Sequence, residues 1–133
     1  MTKKEFRFIR QKLQRTQKQM GDLLGLSPRG VQSFEQGWRR VPAAVGRQLL
    51  FLYSLKISSK RKIKNCWDFR RCPPEIRKTC PAWEFKAGRL CWFITGTLCR
   101  GKQFSNWDRK IFECRKCEVF QEIFPFKDTL KPA

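Results

Sequence analysis

The chain has 133 residues, of which 30 are lysine or arginine and 11 are acidic, so its formal net charge is +19. This length allows one ordinary domain or two small ones. No apolar run approaches the ~20 residues that a membrane-spanning helix needs, which argues against a membrane protein. Seven cysteines are present without any histidine, so imidazole ligands and Cys–His nucleophiles are excluded as well.

The positive charge is spread over both halves of the chain. Residues 1–57 hold 12 basic and 3 acidic side chains, and residues 58–133 hold 18 and 8. This distribution predicts a polyanionic partner, and nucleic acid is favoured over an acidic membrane because no long basic amphipathic helix is present. No signal-peptide pattern follows Lys3 and Lys4, so we expect a cytoplasmic protein.

Cysteine usage divides the chain into segments. Every cysteine lies between residues 66 and 117, and the run SSKRKIK at 58–64 is polar and basic. We therefore predict an all-α helix-turn-helix domain over 1–57, a basic linker over 58–64 and a small irregular cysteine-rich domain, held by metal, over 65–121. A short tail over 122–133 completes the predicted organisation.

Apolar periodicity predicts four to five short helices in the first 57 residues. Phe6, Ile9 and Leu13 are spaced as one face of a first helix. Thr16 is a suitable N-cap for a second helix, whose apolar stripe includes Met20.

Glycine and proline mark the ends of the following helices. Gly25 ends the second helix, Ser27-Pro28 begins a third, and Gly37 closes it. Pro42 precedes a last, longer helix. The second and third helices therefore form a helix-turn-helix, a geometry that occurs in many helical bundles as well as in DNA-binding proteins.

The run TQKQMGDLLGLSPRGVQSFEQGWRRVP at 16–42 resembles the Cro and phage-repressor (XRE-type) family of DNA-binding domains. The resemblance extends over residues 3–57. It rests on matching residues along this run: Thr16, Gln17, Leu23, Leu24, Gly25, Ser27, Val31, Glu35, Gly37 and Pro42.

The resemblance implies that the third helix enters the major groove of double-stranded DNA, and that Arg10 pairs with Glu35 between the first and third helices. Arg29 is the candidate for a bidentate contact to guanine, and Gln32 is a candidate for adenine. Arg39 and its neighbour would meet phosphates, which position the domain without reading sequence. The full set of predicted DNA-contacting residues is Gln17, Ser27, Pro28, Arg29, Gln32, Ser33, Arg39 and Arg40.

Two departures qualify this resemblance, at Pro28 and at Gly30. Pro28 lacks a polar side chain at a usual base-reading position, and Gly30 inside the third helix costs ~1 kcal/mol in helix propensity. We expect Trp38 to pack in the interior rather than to stack on bases. Because one helix-turn-helix binds weakly alone, we expect a homodimer on a palindromic operator.

The cysteines form a donor set for metal. Seven is an odd number, and a DNA-binding protein is found where thiols stay reduced, so a disulfide framework is disfavoured. Cys114 and Cys117 have the two-residue spacing of a thiolate chelate. The predicted ligands are Cys66, Cys72, Cys80, Cys91, Cys99, Cys114 and Cys117, with the first four placed around one centre and the last three around another.

Both zinc and an iron–sulfur cluster agree with an all-thiolate set, and zinc is preferred slightly because all-cysteine zinc sites are common. Cys72-Pro73 and Cys80-Pro81 are similar to the Cys-Pro step of bacterial ferredoxins, although the remaining spacing differs. The repeated Cys-Trp doublets, at 66–67 and 91–92, make residues 65–121 resemble a small cysteine-rich module of bacterial regulatory and sensory proteins.

These observations predict a sequence-specific transcriptional regulator with a thiolate-metal module that senses metal or redox state. One alternative is a DNA-binding protein whose metal is purely structural. Another is a thiol–disulfide redox enzyme that uses Cys114 and Cys117. The enzyme is disfavoured because no βαβ pattern surrounds these cysteines, and we predict no catalytic activity.

Overall fold

The computed structural model describes residues 1–60, 62–99 and 101–126. This part of the chain is mostly helical and contains no strand, which agrees with the predicted all-α class. The chain divides into two compact units, Met1–Ile57 together with Phe126, and Ser58–Pro125. Among the described residues, no helix is both long and apolar enough to cross a bilayer.

Unit 1 is built from helices α1 (Lys3–Lys12), α2 (Gln17–Leu24) and α3 (Pro28–Gln36), followed by α4 (Ala43–Lys60), whose last three residues belong to unit 2. The prediction of a linker that begins at residue 58 is wrong for its first three residues, because these belong to α4. Ser58, Ser59 and Lys60 follow an established helix, and none of them is a glycine or proline that would stop it.

The predicted helix ends in unit 1 are confirmed, and each has a local cause. Thr16 accepts a hydrogen bond from the backbone of Gln19 at the start of α2, and Ser27 accepts one from Gly30 at the start of α3. Gly25 and Gly37 end these helices at φ values of 72° and 77°. A side chain at either position would be strained in this left-handed conformation.

The core of unit 1 lies between α3 and the two helices that precede it. Phe6, Met20 and Val31 are fully buried, and the ring centroids of Phe6 and Phe34 are 5.7 Å apart. The expectation that Trp38 packs in the interior is wrong, since its side chain is 67% exposed. It follows Gly37, where the chain has already turned away from the core.

Unit 2 has shorter helices joined by irregular segments. They are α5 (Cys66–Arg70), α6 (Pro74–Arg77), α7 (Pro81–Glu84), α8 (Trp107–Cys114) and α9 (Glu118–Ile123). Helices of four to eight residues are too short to be stable in isolation, so the unit depends on its tertiary contacts.

Trp92 forms the centre of the apolar core of unit 2. It is fully buried, and its ring lies edge-on against Phe93, Phe120 and Phe124 at centroid distances of 5.8, 6.2 and 5.2 Å. The first two residues of the predicted tail, 122 and 123, belong to α9, which ends at Ile123, and Phe124 after it is buried. Residues 127–133 of that predicted tail lie outside the described residues.

Candidate functional site

The turn between α2 and α3 brings the two helices close together. The backbone N–H of Leu26 donates to the carbonyl oxygen of Gly21 at 2.8 Å. A Cβ atom at position 21 would lie 2.5 Å from the carbonyl oxygen of Leu26, so a larger residue would force the turn open. The sequence alone assigned no role to Gly21, because the Leu26 carbonyl comes close to it only when the chain turns between α2 and α3.

A single carboxylate holds α3 against both preceding helices. The Nε atom of Arg10 donates to the two carboxylate oxygens of Glu35 at 2.9 and 3.1 Å, and its Nη2 atom lies 2.8 Å from Oε1. The Gln17 amide also donates to Glu35, at 2.9 Å. The predicted Arg10–Glu35 pair is therefore confirmed. Because the Glu35 side chain is only 3% exposed, these bonds fix the rotation of α3 about its own axis.

The predicted DNA-contacting residues fall into two groups. Two of them face inward, since Ser33 is buried with its hydroxyl donating to the Gly30 carbonyl, and Gln17 is half-buried against Glu35. The other six lie on the surface, where Ser27 also serves as the cap of α3. The exposed residues are Ser27, Pro28, Arg29, Gln32, Arg39 and Arg40.

A basic and aromatic corner follows the end of α3. The Arg39 guanidinium lies over the Phe34 ring, 4.9 Å from its centroid. Arg40 and Trp38 are exposed beside it. The corner therefore presents two positive charges beyond the C-terminal end of α3, an arrangement that suits phosphate groups.

In unit 2, all seven cysteines line one cavity of about 60 Å³. Four of the sulfurs come from helix ends: Cys66 begins α5, Cys114 ends α8, and Cys80 and Cys117 are the N-cap residues of α7 and α9. The remaining three come from the connecting segments. The expected division into a group of four and a group of three is not what the structure shows, because both groups face the same space.

The thiols interact with one another and with the backbone. Cys91 donates a hydrogen bond to the sulfur of Cys66, which lowers the pKa of Cys66 and raises that of Cys91 well above its usual value. Burial raises the pKa of Cys114 to about 11, and desolvation together with the nearby Cys80 raises that of Cys72. The backbone N–H of Leu98 donates to the sulfur of Cys80 at 3.3 Å.

A buried lysine lies among these thiols. Lys110 is 1% exposed, lines the same cavity and donates to the hydroxyl of Thr97. Its charge acts to lower the pKa of Cys66, Cys91 and Cys114. Sequence reasoning missed this residue because lysines are almost always exposed. Its spacing could have indicated its position, because residues 110 and 114 are one turn apart and lie on the same face of α8.

The donor set fits a soft metal, because every candidate ligand is a cysteine and none is paired in a disulfide. Within the described residues, however, no three Cys, Asp or Glu side chains are arranged so that they could hold an ion directly. Binding would therefore require the cysteine sulfurs to move closer to one another.

Comparison with known proteins adds no relative. No family model, curated protein or solved structure matches this chain. Functional inference therefore depends on the exposed face of α3 and on the thiol cavity.

Proposed function

We propose that this protein is a sequence-specific DNA-binding transcriptional regulator that acts on double-stranded DNA. The observation that carries the proposal is the amino-terminal half of α3, where Arg29 and Gln32 are exposed on a helix that the bonds of Glu35 hold in place. A base-reading helix needs this combination, because its side chains must reach base edges from a backbone of fixed orientation.

The proposed contacts divide into base reading and positioning. Arg29 donates two hydrogen bonds to a guanine edge, and Gln32 bonds to an adenine or an adjacent phosphate. Arg39 and Arg40 bind phosphates on the side of the turn that follows α3. Ser33 is excluded from this set because it is buried, and Gln17 acts through its bond to Glu35.

The proposed DNA-bound form is a homodimer on a palindromic operator. A single helix-turn-helix offers only three or four base contacts, which is too few for tight specific binding, and two copies double the contacts. The net charge of +19 favours rapid association with DNA in the cytoplasm and a steep dependence of affinity on salt.

The test is selection of bound sequences from a random pool of duplex DNA, repeated with two variants. Wild-type protein should enrich a symmetric motif. Arg29→Ala should relax the preference at one base position and cost about 1–3 kcal/mol there. Arg40→Ala is the matched comparison, since it removes an exposed arginine outside α3 and should weaken binding to all sequences alike, with a smaller salt slope. Enrichment of no motif, or identical effects of both variants, would refute the proposal.

The second half of the proposal is that unit 2 binds metal through its thiols. Bound zinc would cross-link segments of the unit through thiolates, and an iron–sulfur cluster would in addition carry an electron. In either case the thiols lose protons when the metal binds, so binding is coupled to folding of the unit. Removing the metal should therefore reduce the helical circular dichroism of unit 2 and leave α1–α3 protected from hydrogen exchange.

A sensory module and a structural one differ in their effect on DNA binding. If the metal or its oxidation state is a signal, titrating the metal while measuring affinity for the selected operator should change that affinity. A constant affinity would leave the metal a purely structural role. A thiol–disulfide enzyme is less well supported, because Cys114 and Cys117 are both buried and exchange requires an accessible thiolate.

A further inference from the structure

The volume of the thiol cavity helps to distinguish a single metal ion from a cluster of several atoms. Its volume is about 60 Å³, on a scale where one water molecule occupies about 10–15 Å³. Four thiolates at ~2.3 Å from a zinc ion close directly around it and leave no room for a second atom. The cavity that the seven cysteines line together with apolar side chains is therefore several times larger than one ion needs, and it suits a centre that contains several atoms.

The charges around the cavity limit the number of thiolates. Seven thiolates exceed the charge of two zinc ions by three, whereas four thiolates leave a net charge of 2− around either one zinc ion or a [4Fe–4S]²⁺ core. The cavity contains the buried cation Lys110 and is walled on one side by Trp67 and Trp83, whose ring centroids are 4.9 Å apart. Fewer buried anions in an apolar space cost less, so a centre with four thiolate ligands, with the other three cysteines as neutral thiols, matches the cavity better than seven thiolates do.

Hydrogen-bond donors also line the cavity. The Leu98 amide donates to the Cys80 sulfur, and the buried Lys110 ammonium, which donates to Thr97, lines the same cavity as Cys114. N–H donors to cysteine sulfur stabilise the electron-rich state of iron–sulfur clusters and raise their reduction potential. A buried ammonium is costly unless an anion accompanies it, and a cluster supplies that anion.

We propose that the seven cysteines surround one iron–sulfur cluster of the [4Fe–4S] type, and that Lys110 is a positioning residue that donates a hydrogen bond to it and offsets its charge. This inference rests on the metal-binding half of the proposed function and makes it specific. Four cysteines ligate the cluster, and the other three remain as thiols in the wall of the cavity.

The experiment is anaerobic reconstitution of the metal-free protein with equal amounts of Fe²⁺ and Fe³⁺ together with sulfide, which supply the oxidation level of a [4Fe–4S]²⁺ core, and separately with Zn²⁺. Wild-type protein should turn brown and hold about four iron and four sulfide per chain. In Lys110→Met the side chain keeps its approximate length and loses its charge, so a chelator should bleach the cluster about 10- to 100-fold faster. Its reduction potential should also fall. Lys116→Met is the control, because Lys116 is exposed just beyond the same helix, and it should behave as wild type.

The outcomes separate this inference from the proposed function. Colourless protein that binds zinc but takes up no iron would overturn the cluster and leave the thiolate-metal unit intact. Protein that binds neither metal would overturn both, and DNA selection tests the first unit independently. A brown Lys110→Met protein with unchanged bleaching rate and potential would overturn the role of Lys110. If that variant does not fold, the iron and sulfide content of the wild type still decides the question.

Discussion

Replacing Glu35 with glutamine tests whether one carboxylate holds the helices of unit 1 together. The substitution keeps the size of the side chain and removes the charge that Arg10 and Gln17 bind. Breaking one side of a buried ion pair costs ~3–5 kcal/mol. Because the Arg10 side chain keeps 15% exposure to water, we expect the lower end, about 3 kcal/mol, which is roughly a hundredfold in the unfolding equilibrium.

The assay is hydrogen exchange of the full-length protein, read peptide by peptide for α1, α2 and α3. Glu35→Gln should reduce amide protection in these helices about a hundredfold. Asp22→Asn is the matched control, since Asp22 is exposed on α2 and should change stability by less than about 0.5 kcal/mol. The double change Arg10→Met with Glu35→Leu removes both charges and should recover most of the loss. A fall in protection below about fivefold in Glu35→Gln would refute the reasoning.

Three further changes test the local arguments. Gly21→Ala places a Cβ atom 2.5 Å from a backbone oxygen and should cost roughly 1–3 kcal/mol in thermal unfolding. Gly30→Ala is the comparison, since its Cβ atom would lie 3.3 Å from a hydroxyl. It should be close to neutral, because a gain of ~1 kcal/mol in helix propensity offsets this tight contact. Ser27→Ala removes the cap of α3 and should cost about 1 kcal/mol, seen as faster amide exchange in the first turn of α3 only. Trp92→Ala empties the centre of the unit 2 core and should cost about 3–5 kcal/mol in urea unfolding of that unit; a loss below 1 kcal/mol would contradict the packing described.

Much of unit 1 could be predicted because its helices are delimited by local signals. Thr16, Ser27 and the two left-handed glycines act on backbone groups within four residues of themselves, so the sequence pattern contains the cause. The Arg10–Glu35 pair was accessible only through a resemblance. Gly21 and Trp38 were missed or misplaced because their surroundings depend on how the chain turns in space.

Unit 2 was less predictable because its helices are short and its cysteines are distant in sequence. Spacing along the chain indicated that the thiols form a donor set, but it could not show that Cys66 and Cys117, 51 positions apart by their numbers, would face the same cavity. Lys110 was missed for a different reason. Its burial opposes the general preference of lysine for water, and such exceptions occur where a charge has a specific neighbour.

The position of Phe126 has a consequence for how the protein is made. Its ring packs edge-on against Phe8 in unit 1, with centroids 5.9 Å apart, although residues 58–125 of unit 2 lie between the first 57 residues and this one. Unit 2 is thus an insertion within unit 1 in the order of the chain. During synthesis the helices of unit 1 emerge first and can begin to fold on local contacts. Their core is complete only when residue 126 has been made, and a protein truncated after residue 57 would lack one of its buried side chains.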